Sequence, residues 1–73
     1  MHVTIQTLKD HDAVRAALQN DGWDFQPEEQ PNTLRAKHPR VQEESVARWR
    51  LNQLGLLTCR LCRIEFLHDV TPN

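Results

Sequence analysis

Apolar positions along this chain switch back and forth between two spacings. In His2-Val-Thr-Ile-Gln-Thr-Leu8, Val3 and Ile5 fall on one side, Thr4 and Gln6 on the other. That period of two, with β-branched residues, predicts a half-buried strand. Asp10 and Asp12 follow as N-cap candidates and first-turn negative charge, and Val14, Ala17 and Leu18 recur at helical spacing. Gly22 ends the helix. With Gly22 in the left-handed conformation, Leu18 and Trp23 become the apolar pair of a Schellman ending. Trp23 to Gln26 alternates again as a short strand, and the polar run from Gln26 to Asn32, with two prolines, reads as a loop.

The second half repeats the scheme. Thr33 to His38 alternates, with Leu34 and Ala36 opposed to Arg35 and Lys37. Pro39 suits the first turn of a helix, with Glu43 and Glu44 near its start. Ala47, Leu51 and Leu54 form its inner stripe, flanked by Val46 and Trp49, and Trp23 and Trp49 are expected as core anchors. Gly55 ends it, pairing Leu51 with Leu56. Cys59 to His68 is the last expected strand, with Cys62, Ile64 and Phe66 on one side. The helix endings align at an offset of 33 residues: Arg15 on Arg48, Leu18 on Leu51, Gly22 on Gly55, and strand residue Val3 on Ala36. The order strand–helix–strand, twice, predicts one α+β domain over residues 1–68. It is a small two-layer β-α-β-β-α-β (ferredoxin-like, split βαβ) fold, an antiparallel sheet with both helices on one face. Residues 69–73 are expected to be a disordered tail.

The segment from Glu44 to Thr58, followed by Cys59 to Phe66, resembles the last helix and β-wing of a winged-helix domain. The resemblance covers about a third of the chain. It implies two more helices upstream and a DNA-contacting helix carrying Arg48 and Arg50.

At 73 residues and 38% hydrophobic, the chain holds one modest core. A domain of this size buries only about 60% of its unfolded surface. A deep walled substrate cavity is therefore not expected. The two glycines stand 33 apart, so there is no phosphate-cradling loop, and the paired acids sit where helix starts favour negative charge. The expectation is a non-catalytic domain without cofactors. No run nears the length of a membrane span, and two cysteines are few for a small secreted domain. Those features lead to the expectation of a cytoplasmic chain with reduced thiols and no membrane partner.

Net charge is −1, but unevenly spread. Residues 1–33 hold two basic and six acidic side chains; residues 34–73 hold seven basic and four acidic. Arg35, Lys37 and Arg63 have outward strand parity, and Arg60 sits at a strand start. Together these four are the candidate nucleic-acid contacts, a phosphate-tracking patch on the uncovered sheet face. No outward aromatic accompanies them. Leu61 and Leu67, also of outward parity, are the candidate self-association residues. A protein partner or a homodimer is the leading expectation, and nucleic acid the alternative.

Cys59-Arg-Leu-Cys62 has the spacing of a zinc knuckle, with His38 or His68 as further ligands. Inside a strand, however, residues three apart lie about 10 Å from one another on opposite faces. On that reading neither a shared metal nor a disulfide forms. Cys62 packs in the core, Cys59 lies at an edge, and no metal is expected.

Overall fold

The structure, a computed structural model, describes residues 1–68, so the expected tail at 69–73 lies outside the described residues. Four strands, β1 (His2–Thr7), β2 (Asp24–Gln26), β3 (Thr33–Lys37) and β4 (Cys62–Leu67), form one antiparallel sheet ordered β2-β3-β1-β4. Helices α1 (His11–Asn20) and α2 (Glu44–Gln53) complete an α+β domain. The winged-helix alternative fails here. It needs two helices upstream of α2, and the described residues hold one; 24–26 and 33–37 are strands.

The alternation read in the sequence sets the layers. Val3, Ile5 and Thr7 of β1 and Leu34 and Ala36 of β3 are buried, while Gln6, Arg35 and Lys37 are exposed. The buried side meets Val14 and Leu18 of α1 and Ala47 and Leu51 of α2, all in one apolar cluster. Phe25 and Phe66, on the two outermost strands, pack against its margins, each under an arginine. Arg15 of α1 stands 5.0 Å from the Phe25 ring centre, and Arg48 of α2 stands 4.5 Å from that of Phe66. The residues matched by the 33-residue offset thus hold equivalent posts. Val3 and Ala36, matched by the same offset, lie directly opposite one another on the two central strands.

Both helices end as expected. Trp23 N–H donates to Leu18 O (3.0 Å) and Gly22 N–H to Gln19 O (3.1 Å); Leu56 N–H donates to Leu51 O (3.0 Å) and Gly55 N–H to Asn52 O (2.9 Å). Those are the two bonds of a Schellman motif at each end. The helix starts differ from expectation. Asp10 occupies the N-cap with φ 58°, and its side chain makes no cap hydrogen bond. Pro39 is not in α2. Val41 N–H donates to His38 O (3.1 Å), so Pro39 is second in a four-residue turn, where its fixed φ is equally suited. Val41 is thereby turned inward and is only 2% exposed.

Two further expectations are corrected. Trp49 is 62% exposed and Val46 38% exposed, so both lie on the solvent side of α2 rather than beside the core. The last strand begins at Cys62 rather than Cys59, because residues 59–62 form a turn in which Cys62 N–H donates to Cys59 O (3.4 Å).

Candidate functional site

Both helices pack on one side of the sheet, and among the described residues no helix covers the other. Register places its side chains in rows: Asp24, Lys37, His2 and Leu67; then Gln26, Arg35, Thr4 and Glu65; then Thr33, Gln6 and Arg63. Arg35, Lys37 and Arg63 are exposed on this face as expected. They do not make a basic stripe, since Asp24 lies beside Lys37, and Glu65 beyond Thr4 from Arg35. No Phe, Tyr or Trp occupies these rows. Arg60 is exposed but stands in the turn before β4. A shallow cleft of about 350 Å³ on this face is lined in part by Thr4, Gln6, Arg63 and Glu65.

Leu61 and Leu67 are 42% and 37% exposed. The structure does not bring them together. Leu61 is in the turn, Leu67 ends β4, and the five strand residues between them hold them about 20 Å apart. Leu61 has a different neighbour. Leu8 N–H donates to Leu61 O (2.8 Å), and Leu8 is 60% exposed, so two exposed leucines stand side by side where β1 ends and β4 begins. Sequence parity put Leu8 at the end of a strand but gave no sign of its neighbour.

β4 lies at the outside of the sheet, with β1 on its inner flank. The Leu8–Leu61 bond fixes which of its backbone groups face which way. In an antiparallel ladder alternate residues exchange both bonds with the same neighbour. Leu61, Arg63, Glu65 and Leu67 therefore face β1. Ile64 and Phe66 present their N–H and C=O groups to the outer edge, as does the Cys62 carbonyl. Cys62, Ile64 and Phe66 are only half-buried, and among the described residues no strand pairs with β4 on that side.

At the head of β4 the Cys59–Cys62 turn, closed by Cys62 N–H to Cys59 O (3.4 Å), makes the two cysteines neighbours. The sequence reading, which placed both residues in one strand and therefore apart, is corrected. Both cysteines are free and half-exposed. Partial burial, together with the neighbouring Cys59 thiol, pushes the Cys62 thiol up to about 11. His38 and His68 are elsewhere. Among the described residues no group of three or more His, Cys, Asp or Glu side chains is placed to hold a metal ion.

His38 belongs to a polar knot that spacing did not reveal. Its Nε2–H donates to Asp21 O (2.8 Å) and its Nδ1 accepts from Arg40 N–H (3.0 Å), which fixes the neutral Nε2–H tautomer. The Asp21 carboxylate accepts from Trp23 Nε1–H (2.9 Å) and from Arg50 (3.2 Å). Asp21 thereby ties the end of α1 to α2 and to the turn after β3. Thr7, 1% exposed, donates its hydroxyl to Asn32 O (3.0 Å) and accepts from His11 Nδ1–H (2.7 Å). It joins β1, α1 and the loop before β3. Both clusters are internally satisfied and hold elements together.

No helix of the described residues is long and apolar enough to cross a membrane. Comparison with protein-family models, with curated proteins and with solved structures gives no match to this chain.

Proposed function

We propose that this chain is a protein-interaction module of ferredoxin-like (split βαβ) fold that associates with a second copy of itself through the outer edge of β4. Two strand–helix–strand units with the sheet order β2-β3-β1-β4 support the fold. The observation that carries the function is the self-complementarity of β4. Suppose two copies of this edge run antiparallel about a two-fold axis at Ile64. Each edge-facing residue then meets an edge-facing residue: Ile64 opposite Ile64, Cys62 opposite Phe66. On the open face Arg63 falls opposite Glu65 and Leu61 opposite Leu67, and the two-fold repeats both pairs. This is an isologous interface. It turns two separated leucines into two apolar contacts and leaves both charges paired.

An unprotected strand edge is a template for such pairing. The interface is one strand wide, smaller than the roughly 1,200–2,000 Å² of stable complexes. Association in the micromolar range is expected. Nucleic-acid binding through Arg35, Lys37, Arg60 and Arg63 is less well supported, because Asp24 and Glu65 interrupt the basic residues and the face offers no Phe, Tyr or Trp for bases to stack on.

Sedimentation equilibrium across low to high micromolar concentrations tests the proposal. The expected result is a mass rising from monomer toward dimer, with Glu65→Arg weakening the constant about tenfold as two ion pairs become two repulsions. A monomer mass at every concentration overturns it.

A further inference from the structure

The turn at the head of β4 carries a second chemistry that does not depend on edge pairing. Cys59 and Cys62 are the first and fourth residues of a hydrogen-bonded turn, with Cys62 N–H to Cys59 O at 3.4 Å. Such turns hold their end Cα atoms within about 7 Å, and a disulfide requires about 4.4–6.8 Å. The turn therefore places the two cysteines at a separation that a disulfide can span. Both are partly open to solvent, unlike the residues of the apolar core. Among the described residues no third His, Cys, Asp or Glu joins the pair as a metal-holding group. The next residue, Leu61, is anchored through its carbonyl to Leu8 N–H (2.8 Å), so the turn is held in place whichever form the sulfurs take.

We infer that Cys59 and Cys62 are a thiol–disulfide exchange site that reduces small-molecule disulfides and is itself oxidised to an intramolecular disulfide. The Cys59 thiol loses its proton to solvent and its thiolate attacks one sulfur of the incoming disulfide. That S–S bond breaks, and the first leaving thiolate takes up a proton. The Cys62 thiol then loses its proton and attacks the Cys59 sulfur of the mixed disulfide. A second thiolate leaves and is protonated. Two electrons pass from the pair to the disulfide, which ends as two thiols. The order of attack follows from the packing: Cys62 lies against the apolar core at the head of β4 and Cys59 does not, so the incoming disulfide meets Cys59 first and Cys62 acts second. Arg60, inside the turn and exposed, gives an anionic disulfide such as oxidised glutathione a cation to approach.

The test is intact-mass measurement on the full chain, fully reduced, then held in graded mixtures of reduced and oxidised glutathione and quenched by alkylation. The expected wild-type product has lost two hydrogens and carries no adduct, with a midpoint that varies as a two-electron couple. Cys62→Ser should accumulate one glutathione on Cys59, and Cys59→Ser should acquire its adduct on Cys62 more slowly. The inference is overturned if wild-type protein accumulates glutathione adducts without closing, or cross-links between chains. Equal adduct rates in the two variants overturn the assigned order. A monomeric chain in sedimentation would leave all these outcomes intact, so the exchange site and the edge-pairing proposal fail separately.

Discussion

A Cβ on Gly22 would stand 3.0 Å from His38 Nε2, on a backbone held at φ +95°. At Gly55, with φ +75°, the same atom would meet nothing within 4 Å. Gly55→Ala should therefore cost about 1–2 kcal/mol, the penalty for a side chain in the left-handed region. Gly22→Ala carries that penalty too, and must also displace a buried histidine from Asp21 O and Arg40 N–H, adding about 1–3 kcal/mol. Denaturant unfolding of the two variants would show the difference; equal costs would mean that His38 yields freely. Cys62 supplies a second residue-level prediction. Its thiol titrates at about 11 in the fold against 9.0 ordinarily, so between these values the unfolded chain has released a proton that the folded chain retains. Stability is complete below pH 9.0 and falls as pH rises toward 11, and Cys62→Ala should flatten that slope in reduced protein. Both glycines were legible in the sequence as helix ends, because the Schellman ending is a local pattern. The collision with His38 was not, since it arises where a turn 16 residues downstream folds back, and spacing does not encode that.

The elements divide in the same way. Both α1 and α2 follow from apolar spacing and glycine position, yet the face that α2 buries was misjudged at its flanks. Ala47 and Leu51 are fully buried, while Trp49 points out. Leu51→Ala should cost about 2–5 kcal/mol. Trp49→Gln should stay within about 0.5 kcal/mol, as at other exposed positions. The reverse ranking in thermal or chemical unfolding would show that Trp49 is covered. At the start of α2 the Arg48 guanidinium and then the His68 ring hold the Glu44 carboxyl below its usual value of 4.5. That contribution is present above pH 4.5 and is lost as pH falls through the depressed value. Glu44→Gln should remove that part of the acid sensitivity without altering unfolding at neutral pH by much. The last strand was placed correctly in parity but three residues too early, because alternation cannot distinguish a strand from a turn that leads into it. That error hid the turn that joins Cys59 to Cys62, and it put Leu61 on the strand instead of in the turn beside Leu8.

At the scale of the molecule, the sheet order of the described residues leaves β4 with one neighbour, and the proposed pairing would join two copies in an eight-stranded sheet. The outward residues Leu61, Arg63, Glu65 and Leu67 read as their own complement when reversed. Neither the residue list nor the strand boundaries reveal this property. It requires knowing that β4 is outermost and that Ile64 faces the free edge. It also makes a demanding prediction. Arg63→Glu gives a strand with two acids and Glu65→Arg one with two bases, so each variant alone should repel its own copy and weaken pairing about tenfold. Mixed in equal amounts, they should form a heterodimer, because each acid then faces a base. The double variant Arg63→Glu/Glu65→Arg keeps the complement with its sense reversed and should associate like the wild type. Raising salt should narrow these differences, since the pairs are exposed. Sedimentation of the four samples at matched concentration separates a paired edge from a general change in charge. The wild type and the double variant share the same net charge, as would any pair related by that swap. Only direct juxtaposition of residues 63 and 65 makes the singles fail alone and succeed together. Association of the singles as strong as the wild type would place the contact elsewhere, with the solvent side of α2 around Val46 and Trp49 the next surface to substitute.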